Sequence, residues 1–236
     1  YSLVSRNTFL DNINIAFSQV FNSGFGHGFF RDYAVNRLLR PVEEIINKFQ
    51  PDIVICNHPM AAIPLGELKS RGSNFKYVVV MLDLVTFFRS MADRNADLVF
   101  APTTTVASKL EELGVAKEKV RAPLFPLHPR LKEARTKKQV AKDLGFDDSK
   151  PIVLITGGGL GLKTLKDAII KLANRDDLQL IIVTGKLLYF KKELEERYSE
   201  RKNIKVFGFV DNMQDYFRAA DIVVGKPGAT TIMECE

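Results

Sequence analysis

The 236-residue sequence has no tryptophan and only two cysteines, Cys56 and Cys235. Isolated thiols in or beside apolar stretches make neither a disulfide framework nor a thiolate metal cluster, and they fit a reducing cytosol. No apolar run approaches the roughly 18 residues that a membrane-spanning helix needs. The opening "YSLVSRNTFLDN" has no signal-peptide pattern and no initiator methionine, which predicts a trimmed N-terminus. No repeat at solenoid spacing occurs.

What is present is a globular composition, 46% hydrophobic and 26% charged, with 17 phenylalanines. The formal charge is +6, which favours anionic partners: nucleic acid, an anionic membrane surface or phosphorylated substrates. Short, continuous, β-branched runs recur: "DIVIC" (52–56), "YVVVM" (77–81), "DLVFA" (97–101), "PIVLIT" (151–156), "LQLIIVTG" (178–185), "IKVFGFV" (204–210) and "DIVVG" (221–225). Runs without polar alternation predict strands buried on both faces, hence parallel sheet. Amphipathic helices are predicted between them over Arg31–Phe49, Ile63–Arg71, Thr104–Leu113, Lys163–Ala173 and Leu187–Tyr198, with Gly114 as the C′ residue of the third. Strand and helix alternate, the α/β pattern.

"APLFPLHPRLKEARTKK" (122–138) places three prolines within seven residues ahead of a charged stretch. Proline fixes φ and removes a donor, so this segment reads as a linker between two α/β units, 1–128 and 129–236. One long sheet with an extended crossover is the alternative.

Two glycine-containing segments follow strands in the second unit. "PIVLITGGGLGLKT" fits neither the P-loop, because Leu162 stands where the second glycine belongs, nor the dinucleotide fingerprint G-x-G-x-x-G. Its glycines either face a ligand's anionic group with backbone N–H groups or only allow a tight turn. "GKPGATTIMECE" (225–236) offers Gly228 for close backbone approach, Thr230 or Thr231 as helix cap, and Glu234 one turn in. A nucleoside diphosphate cradle, with Glu234 accepting from a ribose diol, is one reading; a capping box closed by Glu234 is the other. A third loop, Gly208–Val210, has backbone groups suited to the edge of a base. All three follow strands on the carboxyl edge of a parallel sheet, where ligands of open α/β sheets bind.

Strand, "GGGLG" and the later "GFVDNMQDYFRAADIVVGKPGATTIMEC" together resemble the GT-B glycosyltransferases that make glycolipids, the monogalactosyldiacylglycerol synthases and processive diacylglycerol glucosyltransferases, and more distantly the peptidoglycan N-acetylglucosaminyltransferase. "NKFQPDIVICNHPM", "VVVMLDL" and "ADLVFAPTTTVASKLEELGVAKEKV" extend the resemblance over roughly residues 40–236. It implies two Rossmann-like domains, both incomplete at the chain ends, and inverting transfer of a hexosyl group from a UDP-sugar to a lipid hydroxyl such as that of diacylglycerol. By the same resemblance Glu234 holds the ribose, Gly228, Ala229, Thr230 and Thr231 the diphosphate, and Phe209 and Val210 the uracil. Gly158, Gly159 and Gly161 then sit beside the phosphates and the sugar.

The resemblance further implies Asp83, in "MLDL", and a histidine in a glycine-rich loop after the first strand, for which "NSGFGHGFF" offers His27. "QPDIVIC" begins only 23 residues after His27, a spacing that equally makes it a look-alike. His58 is either a family histidine or a structural residue at the Pro59 turn. There is no Asp-x-Asp pair in the chain, so no metal and no other cofactor is expected; a helix N-terminus and basic groups can neutralise departing UDP instead. The expected partners are a UDP-sugar, a lipid acceptor and an anionic membrane surface met peripherally from the cytoplasm, the aromatic stretch 21–33 being a candidate contact; no nucleic acid is expected. Competing readings are a UDP-sugar transferase with another acceptor and a non-catalytic nucleotide- or nucleic-acid-binding module.

Overall fold

A computed structural model describes residues 24–157 and 165–235. The chain divides into two compact units, one ending at Pro126 and the other beginning at Leu127. The α/β class and the two parallel sheets expected from the sequence are both present.

In the first unit four parallel strands lie in sequence order: β1 (Ile53–Cys56), β2 (Lys76–Val80), β3 (Leu98–Phe100) and β4 (Val120–Arg121). Three helices, α1 (Gly24–Phe49), α2 (Pro59–Ser70) and α3 (Thr104–Glu112), supply Leu39, Val42 and Ile46, Leu65 and Leu68, and Val106 and Leu110 to one core with Tyr77, Val79 and Val99. The expectation of burial on both faces fails here. Ile53 and Ile55 are 58% and 68% exposed, and Val78 and Val80 beside them are half-buried. The cause is topological: strands that advance in one direction through right-handed crossovers put every connecting helix on the same face. Helix α3 ends as predicted, with Gly114 at φ +91° and the paired bonds Val115 N–H to Leu110 O and Gly114 N–H to Glu111 O.

The second unit reverses direction. Its strands β5 (Ile152–Thr156), β6 (Gln179–Val183), β7 (Ile204–Phe207) and β8 (Ile222–Gly225) are parallel in the order β7-β6-β5-β8. The chain runs outward from β5 to β7 and then crosses back to the far side of β5, so helices cover both faces. Helices α5 (Lys166–Ala173) and α6 (Leu188–Arg197) pack with Val153, Ile155, Leu180 and Ile182. Helices α4 (Lys137–Leu144) and α7 (Met213–Ala219) pack with Ile152, Leu154, Ile181 and Val183. Here β5 and β6 are buried on both faces as expected, whereas the edge strands β7 and β8 are only partly buried. Helix α4 falls in what the sequence presents as charged linker; a capping box between Thr136 and Gln139 starts it.

Both sheets fix strand register with the same device. Asp97, just before β3, accepts from the Tyr77 N–H of β2 (2.7 Å) and pairs with Lys69 (3.2 Å). Asp221, just before β8, accepts from the Ile152 N–H of β5 (2.7 Å) and pairs with Lys137 (2.7 Å). The Tyr77 N–H bond holds the Asp97 carboxyl below the usual range. Burial alone would raise Asp221, but the Lys137 and Ile152 bonds outweigh it and the net shift is down.

A carboxyl depressed in the folded state stabilises above its unfolded pKa, about 3.9 for aspartate, and that contribution is lost as pH falls through the folded value. Thermal melts from pH 6 to pH 3 should therefore show stability draining below about pH 4. Asp221→Asn should cost about 1–2 kcal/mol at neutral pH and flatten that acid dependence.

Candidate functional site

The carboxyl ends of β5 and β8 carry the two glycine segments, and these strands are immediate neighbours. Thr156 pairs with Gly225, so both segments leave the sheet at one level. This is the place where strand order reverses, the switch point at which open α/β sheets bind ligands. A Cβ on Gly225 would lie 2.2 Å from the Thr156 carbonyl oxygen. Gly225 is therefore required by close backbone approach, a role invisible in the sequence, where it reads only as the end of an apolar run.

After β8 the chain turns sharply: the Gly228 N–H reaches back over Pro227 to the Lys226 carbonyl (2.8 Å). Helix α8 (Ala229–Cys235) starts at once. The expected cap is corrected by this turn. Gly228 occupies the cap position and its carbonyl accepts from Ile232 N–H (3.0 Å), while Thr230 and Thr231 fall inside the first turn and make no capping box. The γ-turn delivers the chain into helical conformation before either threonine, and glycine is a tolerated N-cap. The N–H groups of Ala229, Thr230 and Thr231 consequently have no intrahelical acceptor. Neither threonine hydroxyl has a partner among the described residues. Lys226, exposed at the same turn, adds a positive charge that the sequence reading left out.

Glu234, half-buried on α8, lines a cavity of about 410 Å³ with Leu127, Leu131, Phe217, Arg218 and Met233. Burial pushes its carboxyl above the ordinary glutamate range, and His128 is the one charge acting against that shift among the described residues. A carboxylate so desolvated is a strong acceptor for hydroxyl donors.

The Gly208–Val210 segment follows β7, three strand positions from β8 and so roughly 14 Å away along the same edge. Phe209 is 71% exposed, while Val210 packs against the core beside Phe207. Gly208 is tied to the loop after β6 by the Gly185 N–H to Gly208 O bond (3.2 Å). Gly158, Gly159 and Gly161 lie outside the described residues.

In the first unit, Asp83 follows β2 at its carboxyl end. It is accessible, has no hydrogen-bond or ion-pair partner among the described residues, and is crowded enough that desolvation raises its carboxyl. His58 caps α2, its Nδ1 accepting from Met60 N–H (3.2 Å), which accounts for it as a structural residue at the Pro59 turn. The glycine-rich loop expected around His27 is corrected: the backbone there is helical, within α1. Each glycine costs about 1 kcal/mol in a helix, and the packed face Leu39, Val42 and Ile46 farther along the same 26-residue element offsets that cost. The side chain of His27 lies outside the described residues.

Comparison with known proteins follows the same division. The family model described as "Glycosyltransferase family 28 C-terminal domain" matches residues 152–236, and that described as "Monogalactosyldiacylglycerol (MGDG) synthase" matches residues 21–123. The chain is 29% identical over 196 residues to a processive diacylglycerol beta-glucosyltransferase of Bacillus subtilis, covering 81% of this chain and 50% of that protein. It is 28% identical over 212 residues to monogalactosyldiacylglycerol synthase 1, chloroplastic, of Arabidopsis thaliana, covering 84% and 39%. The chain thus spans half or less of the length of these relatives.

Among solved structures, a Staphylococcus aureus MnaA–UDP complex aligns with TM-score 0.57 at 15% identity, covering 84% of this chain and 60% of that one. Acinetobacter baumannii MurG aligns with TM-score 0.53 at 17% identity, covering 81% and 51%. These likenesses carry the fold. The resemblance to glycolipid-forming GT-B glycosyltransferases is met along both halves, and both sheets have the Rossmann-like form expected of that class.

Gly225→Ala should force β8 away from β5 and cost about 1–3 kcal/mol, the usual penalty of overpacking, measurable by denaturant unfolding. Carbon-detected NMR titration should place the Glu234 carboxyl above those of the exposed glutamates.

Proposed function

We propose that this chain is the nucleotide-sugar-binding and acceptor-side part of an inverting UDP-sugar hexosyltransferase whose acceptor is a membrane lipid such as diacylglycerol. The observation that carries the proposal is the in-register ending of β5 and β8 at Thr156 and Gly225. It brings Gly157 and the root of the segment that leads into α8, a helix start with free N–H groups, out of the sheet at one level, within the half matched by the family 28 glycosyltransferase domain. The named lipid glycosyltransferases among its relatives support the acceptor class.

Each group has a stated task in this reading. The first-turn N–H groups of α8 and Lys226 take the diphosphate, where negative charge grows as the glycosidic bond to UDP breaks. Glu234 accepts from the ribose diol, and Phe209 and Val210 meet the uracil. Gly158, Gly159 and Gly161 let backbone approach the phosphates and sugar. Inversion needs the acceptor oxygen to attack opposite the departing UDP while a base takes its proton. Asp83, with its raised carboxyl, and His27 are the candidates for that base. With charge neutralised by the helix start and Lys226, no metal is required.

The acceptor lies in a bilayer, so peripheral membrane association belongs to the proposal. No helix among the described residues is long and apolar enough to cross a membrane. The net charge of +6 suits an anionic surface, where a basic residue near the lipid gains about 1 kcal/mol.

UDP at about 100 times its Kd should stabilise the chain by about 2.7 kcal/mol, seen as a rise in Tm. Glu234→Ala should weaken UDP binding about 10- to 100-fold, the loss of charge-assisted hydrogen bonds. Incubation with radiolabelled UDP-sugars and diacylglycerol vesicles should yield a chloroform-soluble product. Label transfer only to water-soluble acceptors would replace the lipid with another acceptor. Salt-dependent DNA or RNA binding without any UDP response would sink the transferase reading.

A further inference from the structure

We infer that Thr103 is a positioning residue for Asp83, its hydroxyl holding the backbone of the segment that presents this carboxylate. This rests on the reading of Asp83 as a base for the acceptor hydroxyl.

The side chain of Asp83 has no partner among the described residues, so nothing it touches fixes where the carboxylate stands. The backbone on either side does. Two residues earlier Met81, buried in the core, donates its N–H to the Phe100 carbonyl of β3 (2.9 Å). On the other side the Leu84 carbonyl accepts from Thr103 Oγ1–H (3.0 Å) and the Val85 carbonyl accepts from Lys109 Nζ (3.0 Å). Thr103 is the N-cap of α3 and Lys109 lies within that helix, so Asp83 sits between a tether to β3 and two tethers to the helix that follows β3. Thr103 does more than cap. Its Oγ1 accepts from Val106 N–H (3.2 Å), the ordinary capping bond. That bond uses a lone pair only, so the single hydroxyl proton remains for donation and goes to Leu84. Thr104 and Thr105, next in the sequence, are exposed in the first turn, and among the described residues neither bonds the 81–85 segment. A backbone held in this way fixes the place of the carboxylate and leaves its oxygens open to an incoming hydroxyl, which is what proton transfer to a base requires.

The accepting and donating roles of this hydroxyl can be tested apart. Thr103→Ser keeps both; Thr103→Asp keeps a good capping oxygen but, ionised, has no proton to give; Thr103→Val keeps neither. Hexosyl transfer from a radiolabelled UDP-sugar to diacylglycerol vesicles by the full chain reports the donor role, and Tm reports the cap. Thr103→Ser should stay within about twofold of the parent kcat and hold its Tm. Thr103→Asp should hold Tm yet lose about 10- to 100-fold in kcat, the scale of a misplaced reacting group, while UDP affinity by calorimetry stays within about twofold. Thr103→Val should lose the same kcat and also about 2–4 °C of Tm. In an Asp83→Asn background, Thr103→Asp should have no further effect on kcat, since the two side chains act as one unit.

If Thr103→Asp transfers hexose as fast as the parent chain, if Thr103→Ser is as slow as Thr103→Asp, or if the Asp effect persists without the Asp83 carboxylate, Thr103 is only a cap and the inference fails while the transferase reading stands. If Asp83→Asn alone retains kcat, the reading of Asp83 as the base fails, and the inference with it. A parent chain that transfers no hexose overturns the function proposed above instead. The tether is then decided by NMR relaxation: Thr103→Asp must drop the backbone order parameters of Leu84 and Val85 from about 0.85 to below about 0.6, and unmoved values overturn the inference.

Discussion

The register of β8 against β5 is the constraint on which the rest of the second unit depends. A parallel strand made of continuous apolar residues has little in its own pattern to oppose slipping, because neither face is marked by polar alternation. Asp221 removes that freedom. Its backbone N–H bonds the Ile152 carbonyl while its carboxylate takes the Ile152 N–H, so β8 is pinned at its first residue, and four residues later Gly225 must meet Thr156. A polar contact at the amino edge thus decides what stands together at the carboxyl edge. Asp97 does the same for β3 against β2 in the first unit, where the sequence repeats the pair Ala-Asp ahead of an apolar run.

Much of this was legible in advance. The seven apolar runs all form strands within a residue or two at their starts, because fully buried β-branched stretches have few alternatives. Helix α3 with Gly114 was equally plain, the glycine being demanded by a left-handed backbone position. Strand order was not legible: nothing in "DIVVG" says that it lies beside "PIVLIT" rather than beside "IKVFGFV". That order separates a sheet covered on both faces from one that leaves Ile53 and Ile55 in solvent.

The capping residues misled in opposite senses. Thr230 and Thr231, followed four and three residues later by Glu234, advertise a cap that the Lys226–Gly228 turn pre-empts. Thr136 and Gln139, hidden among lysines, form the real one. Local hydrogen-bonding residues announce a helix start only when the preceding turn delivers the chain at the right place, and that turn is a matter of one proline's geometry. The binding chemistry was read from residue types; Gly225 was missed because its importance lies in a carbonyl oxygen brought near by folding.

The seat of Gly225 on the Thr156 carbonyl has a mechanical meaning. Loops that hold phosphates are commonly pictured as soft, with precision acquired when the ligand arrives. Here the two segments spring from adjacent strands, β5 and the edge strand β8, whose backbones touch with no side chain between them, so neither root can shift without dragging the other. Whatever stiffness the site has is inherited from that strand pair, and adaptation to a ligand must come from the segments beyond these roots.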